Sequence, residues 1–252
     1  MNCRHDDDLV DLDDIVTAYE GADRPALNNI NIRIGKGEYV IVGGVNGAGK
    51  TTLIESVIGM LPIIQGTARV CGLDVRKQGN LIRKRVGYVI QNFFFDPLVP
   101  FTVKEVVMMG RYGKLGYFRR PDVHDIDLAE HAMATLEVDE FAEKTIGTLS
   151  GGQQQKVLIA QNLAKEPDLL LLDEPFSNLD IHAREHVSEI LSDLVETGVT
   201  VVVVSHAFDG LPERMIRAVV MDNGRITLDH HCNADELEEI IRTASSRPAI
   251  HA

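Results

Sequence analysis

At 252 residues, with 44% hydrophobic and 25% charged residues, the chain has the proportions of a folded globular protein and is long enough for one core with an inserted subdomain. Its formal net charge of −13 argues against general nucleic-acid binding, which starts from a positive surface meeting phosphates. No apolar run reaches bilayer length, the three cysteines Cys3, Cys71 and Cys232 are too few for a disulfide framework, and the first residues lack an apolar signal core. A cytosolic chain is expected, with any membrane role passing through a partner.

In chain order, Asp6, Asp7, Asp8, Asp11, Asp13 and Asp14 read as a solvated lead-in to a first strand. Alternation over 27–34 predicts a half-buried strand and Gly35-Lys36-Gly37 a hairpin turn after it, giving an antiparallel layer near the N-terminus. Residues 38–42 predict a buried strand, followed by a glycine-rich loop and a helix over 51–61 that stops before Pro62. Strand, loop and helix make half of a parallel βαβ unit. Further buried strands are predicted at 86–90, 169–173, 199–205 and 218–222. Between Phe101 and Thr148 the pattern turns helical, including 126–136, and predicts a helical subdomain inserted into an α/β core.

The segment Gly44-Val45-Asn46-Gly47-Ala48-Gly49-Lys50-Thr51, followed by Thr52, fits a phosphate-binding loop. Its glycines let backbone N–H groups converge on phosphate, the helix start adds its positive dipole end, and Lys50 reaches the β/γ oxygens. Thr51 is placed to ligate magnesium. Asp173 and Glu174 end an apolar strand, where open α/β sheets bind ligands. Asp173 is expected to hold the magnesium ion through water, and Glu174, one residue further, to act as general base toward water. His206 follows the strand 201–204 and Ser205 in the same manner, and Gln91 follows the strand over 86–90. His206 is thereby aimed at a γ-phosphate and Gln91 at the metal ion or the attacking water.

Leu149-Ser150-Gly151-Gly152-Gln153 precedes a helix-patterned run to Lys165. Ser150 is a favoured helix cap, but capping does not call for two glycines in the first turn, where they are poor helix formers. Bare N–H groups there make a second anion site, redundant if both sites addressed one nucleotide within one chain.

With these motifs in this order, the sequence resembles the nucleotide-binding subunit of an ATP-binding-cassette (ABC) transporter, from about Leu9 to Asp229. The resemblance implies an α/β fold: a phosphate-loop NTPase core with a mixed, mostly parallel sheet, an N-terminal antiparallel β layer and an inserted helical subdomain. It divides the chain into a single domain over 9–229, with core segments 9–92 and 160–229, a helical subdomain over about 93–159, and a tail over 230–252. It implies ATP and magnesium as ligands and hydrolysis of ATP, with two copies paired head to tail so that Leu149 to Gln153 of one clamps the γ-phosphate held by the other. It also implies that Ser177, Asn178, Leu179 and Asp180 form the loop crossing between the two sites, and that Tyr19 stacks on adenine. The expected partners are an integral membrane permease and, indirectly, an extracytoplasmic substrate-binding protein, which puts the chain on the cytoplasmic face of the membrane.

Met109-Gly110-Arg111-Tyr112-Gly113, Gly116 and Phe118-Arg119-Arg120-Pro121 resemble the branch that imports zinc, manganese or related ions. Two features depart from it: Phe95-Asp96-Pro97-Leu98-Val99-Pro100 replaces an Asp-Trp aromatic segment, and Ser177-Asn178-Leu179-Asp180 replaces Ala-Gly-Val-Asp. Import of ferric siderophore, haem or cobalamin, or a soluble iron–sulfur assembly ATPase, are the alternatives. Phe93-Phe94-Phe95 and the stretch from Pro97 to Phe101 are expected to form the groove for a permease helix. Asp229-His230-His231-Cys232 has metal-ligand residue types, but adjacent residues rarely converge on one ion.

Overall fold

Strands such as Leu169-Leu170-Leu171-Leu172 and Val201-Val202-Val203-Val204 are apolar at every position, so both faces of the sheet they build must be covered. The computed structural model describes residues 8–240 apart from 92, 94, 117–118, 178, 206–210, 212–213, 235 and 238. Its strands are β1 (Asp8–Thr17), β2 (Leu27–Gly35), β3 (Tyr39–Gly44), β4 (Ile63–Val70), β5 (Leu73–Asp74), β6 (Val86–Val89), β7 (Leu169–Asp173), β8 (Thr200–Val204), β9 (Met215–Asp222) and β10 (Arg225–Asn233). The helices are α1 (Lys50–Val57), α2 (Val75–Arg85), α3 (Val103–Leu115), α4 (Val123–Thr135), α5 (Gly151–Leu163) and α6 (Ile181–Glu196).

Six strands form the central sheet in the order β10-β9-β3-β8-β7-β6, parallel except for β10. Successive side chains on its strands enter two different cores. Ile41, Leu170, Leu172, Val201 and Val203 join one that extends through α3, α4, α5 and α6. Val40, Val42, Leu169, Leu171, Val202 and Val204 join another, closed by α1 and the antiparallel sheet β2-β1-β4-β5. The architecture is a mostly parallel α/β sheet with an N-terminal antiparallel layer and a helical segment between β6 and β7.

Several boundaries differ from the sequence pattern. Gly35-Lys36-Gly37 is not a hairpin turn: β2 pairs with β1 and β3 with β8 and β9, so this turn carries the chain from one sheet to the other. The acidic opening is itself strand: Val10 and Leu12, then Ile15 and Thr17 after a bulge, are buried, while Asp11 pairs with Arg33 across the sheet at 3.2 Å. Strand β4 and helices α2 and α6 have no counterpart among the predicted elements. Helix α1 ends at Val57, before Gly59 at φ +67°, and not at Leu61. Strand β10 runs through 230–233, where the sequence alone starts a tail; it pairs with β9, buries Cys232, and sets Asp229 against Arg217 at 2.7 Å. Among the described residues no group of three metal-ligand side chains converges, at 229–232 or elsewhere.

The helical segment is locked by a buried ion pair. Arg111 on α3 meets Asp125 on α4 at 2.8 Å, and its Nη1 donates to the Ala164 carbonyl at the end of α5 and to Glu166. Gly110 permits the approach, since a Cβ there would stand 2.0 Å from the Gln161 carbonyl oxygen. Hydrogen bonding from the Asp122 backbone N–H, and then the Arg111 guanidinium, hold the Asp125 carboxyl below its usual range. The stabilisation this depression gives is complete above the ordinary carboxylate range and is lost as pH falls through the folded-state value. Arg111→Met leaves Asp125 excluded from solvent without its partner. The pair lies shallow beneath the surface, so a loss of about 3 kcal/mol, the low end for such pairs, is expected in urea unfolding. A midpoint unchanged from the parent protein would remove the pair from the account of this segment's stability.

Candidate active site

Strand β3 delivers the chain into the phosphate-loop sequence at the carboxyl edge of the central sheet. Gly44, at φ +137°, lies in register with Met221 of β9, whose carbonyl oxygen would be 2.2 Å from any Cβ. Gly49, at φ +102°, caps α1 without a side chain, so no side-chain oxygen competes for the first N–H groups of the helix. Lys50 is only 6% exposed, and its ammonium donates to the carbonyls of Gly44 at 2.8 Å and Val45 at 3.0 Å. Burial lowers its pKa, and the nearby Glu174 and Asp173 carboxylates oppose that shift. The ammonium is thus folded over the loop it is expected to serve.

Strand β7 brings the carboxylates to the same edge. The Thr51 hydroxyl donates to Asp173 Oδ2 at 2.7 Å, joining two oxygens that the sequence separates widely. Glu174 leaves the sheet at φ +50°, a left-handed conformation that a non-glycine residue adopts at a cost of order 1–3 kcal/mol. Its N–H is tied to the Val204 carbonyl at 2.9 Å, and Gln91 Nε2 donates to its Oε2 at 2.6 Å. The Ser177 hydroxyl donates to the Glu174 carbonyl at 3.1 Å, so the crossing-loop sequence starts on the same turn. Leu179 is buried and Asp180 caps α6 through the Ala183 N–H. His206 and Asn178 lie outside the described residues, as do Phe94 and Phe118.

Tyr19 follows β1, and its ring is 46% exposed. Its hydroxyl lies 3.0 Å from the Thr52 hydroxyl and 3.3 Å from Glu55, beside the phosphate-loop helix. Gly44, Lys50, Thr51, Gln91, Asp173 and Glu174 are therefore linked side by side through these contacts, and Tyr19 joins them at the start of α1.

The second anion-site candidate is elsewhere on the surface. Ser150 caps α5 reciprocally with Gln153: the Ser150 hydroxyl accepts from the Gln153 N–H, and the Gln153 side-chain oxygen accepts from the Ser150 N–H. Ser150, Gly151, Gly152 and Gln153 line a cleft of about 480 Å³ together with Leu179 and Asp180, and no phosphate-loop residue lines it.

The ABC transporter family model matches residues 27–177. The chain belongs to the ABC transporter family. Its relatives include the manganese transport system ATP-binding protein MntB of Bacillus subtilis (strain 168), 36% identical over 197 residues, 78% of this chain and 76% of that protein. The zinc transport system ATP-binding protein TroB of Treponema pallidum (strain Nichols) is 34% identical over 93% of this chain and 86% of its own length. The phosphonates import ATP-binding protein PhnC of Trichormus variabilis (strain ATCC 29413 / PCC 7937) is also 34% identical, over 94% and 99%. Among solved structures, a dimeric ATP-binding cassette in a post-hydrolysis state bound to ADP and Pi superimposes with a TM-score of 0.75 at 27% identity, covering 88% of this chain and 97% of that one. As an ABC transporter subunit the chain is an ATPase that binds and hydrolyses ATP. No helix among its described residues is long and apolar enough to cross a membrane.

Two structurally central residues have weak sequence signals. Arg111 lies in the segment Met109 to Gly113, but nothing in the sequence pattern betrays its buried partner Asp125, which precedes the helix predicted over 126–136. Gln154 extends the LSGGQ run by one polar residue, and only its 5% exposure marks it as interior.

Proposed function

We propose that two copies of this ABC ATPase close around two ATP molecules and thereby drive a membrane permease that imports a metal ion of the manganese or zinc class. The observation that carries the paired arrangement is the separation of the two anion-site candidates: Ser150 to Gln153 border a cleft of their own, away from the phosphate loop. A second copy turned head to tail offers its Ser150 and the bare N–H groups of α5 to the γ-phosphate held by the first. The ADP-bound dimer of a related cassette supports such pairing.

Within one site, the loop 44–49 and the start of α1 hold the phosphates, and Lys50 exchanges its carbonyl contacts for phosphate oxygens. Thr51 and Asp173, two hard oxygen donors 2.7 Å apart, fit a magnesium ion, with Gln91 as the third candidate ligand. Bound there, magnesium would neutralise charge developing on the phosphate oxygens. Glu174 accepts a proton from the attacking water, and Gln91 orients its carboxylate through the 2.6 Å hydrogen bond. His206 is assigned to the γ-phosphate and Tyr19 to adenine, an assignment supported by the exposed ring beside Thr52. Residues 177–180 carry the state of one site toward the other, in keeping with the Ser177 contact to Glu174.

MntB and TroB support metal ions as cargo. PhnC, matched over nearly its whole length, supports a second reading in which the cargo is a phosphonate. Liposomes carrying the cognate permease, the binding protein and this ATPase decide between them. Stimulation of ATP hydrolysis by binding protein loaded with Mn²⁺ or Zn²⁺, and none with a phosphonate, is the expected result. The reverse pattern would replace the metal assignment.

A further inference from the structure

The stretch from Phe95 to Val103 does not lie loosely between Gln91, which donates to Glu174, and helix α3. It is laced along the residues that lead into Ser150. The Ile146 N–H donates to the Phe101 carbonyl at 2.9 Å, Thr102 bridges Thr145, and the Val103 N–H donates to the Lys144 carbonyl at 3.0 Å. Gly147 lets this strap close on the turn before the signature, because a Cβ there would be 2.5 Å from the Asp96 carbonyl oxygen and 2.7 Å from Pro97 Cα. One buried side chain then joins both ends. Gln154 Oε1 accepts from the Phe95 N–H at 3.0 Å, and Gln154 Nε2 donates to the Leu149 carbonyl at 3.1 Å. It is 5% exposed, and each of its two bonds satisfies a backbone group that neither helix nor sheet pairs.

We infer that Gln154 is a positioning residue for ATP hydrolysis, tying the strap that follows Gln91 to the signature loop so that the two move as one piece. The inference rests on the action of Ser150 in trans. Gln154 touches neither nucleotide nor reacting water; it transmits. When Gln91 shifts with the metal ion and water at its own site, the strap and Leu149 shift with it, and Ser150 reaches or leaves the nucleotide on the second copy. With that side chain removed, each site still binds ATP, but what happens at Gln91 no longer sets the position of Ser150. The cost falls on closure and turnover and spares nucleotide binding by the single chain, a split that a residue serving only the core does not produce.

The test uses the full chain carrying Glu174→Gln, so that bound ATP is not consumed. Binding of a fluorescent N-methylanthraniloyl ATP, dimer formation by light scattering, and hydrogen exchange of the peptide 95–103 with and without Mg·ATP are measured. ATP is expected to protect that peptide in the parent. Adding Gln154→Met should leave the nucleotide affinity within about twofold, abolish the protection, and weaken dimer formation about tenfold, within the usual range of coupling between sites. Gln154→Glu, which keeps an oxygen for the Phe95 N–H, should retain part of the protection. If Gln154→Met fails to fold by thermal unfolding, Gly147→Ala applies the same test by pushing the strap away with Gln154 intact. Equal protection and equal dimer formation in the folded variant would overturn the inference. Ser150→Ala in the same background reports separately on the in-trans reading: undiminished dimer formation there sinks that reading, whatever Gln154 does.

Discussion

Glu174→Gln is expected to cut ATP turnover by about 10²–10⁴-fold while ATP binding persists, the range that loss of a general base produces. The substitution keeps the shape of the side chain and an oxygen that can accept from Gln91, so the 2.6 Å contact that orients it survives. What it removes is the ability to take a proton from water. The strained backbone at φ +50° is held by the Val204 carbonyl and the Ser177 hydroxyl through main-chain atoms, neither of which the substitution touches. Phosphate release in single turnover, with nucleotide affinity measured in parallel, checks both halves. Turnover within a few-fold of the parent would take the proton-accepting role away from Glu174, and a parallel loss of affinity would mean that the carboxylate serves binding.

Ser150→Ala is expected to abolish ATP-driven dimer formation while a single chain binds ATP as before. A second change separates the signature's two roles. Ser150 caps α5, and losing a cap costs about 1 kcal/mol, so some destabilisation accompanies the alanine variant for reasons unrelated to ATP. Ser150→Asp restores a good cap but sets a negative charge where the second copy's γ-phosphate is expected. Under the in-trans reading the aspartate variant is the better folded of the two and still does not pair. Should it pair as well as the parent, Ser150 does not face a phosphate across the interface.

Much of this site is legible in the chain because its chemistry is local. The phosphate loop, the two carboxylates after an apolar strand and the serine-diglycine helix start each declare themselves within ten residues, and each occupies the expected end of its strand or helix. Residues whose roles depend on distant partners are not legible in that way. Asp125 carries no sign of its burial in the sequence until Arg111 is seen against it. The run from Asp11 to Asp14 reads as a solvated lead-in, because charges on the outer face and a bulge after Leu12 break the period-two burial of β1. Gly35 to Gly37 look like a hairpin for a similar reason: turn chemistry specifies a reversal or a crossing only together with the pairing of the strands around it, and β2 and β3 pair elsewhere.

The central sheet sends alternate side chains into two cores that share no residue. Substitutions more than about 7–10 Å apart with no common partner usually add in their effects on stability. Substitutions set well apart in the two cores are therefore expected to add in their effects on stability.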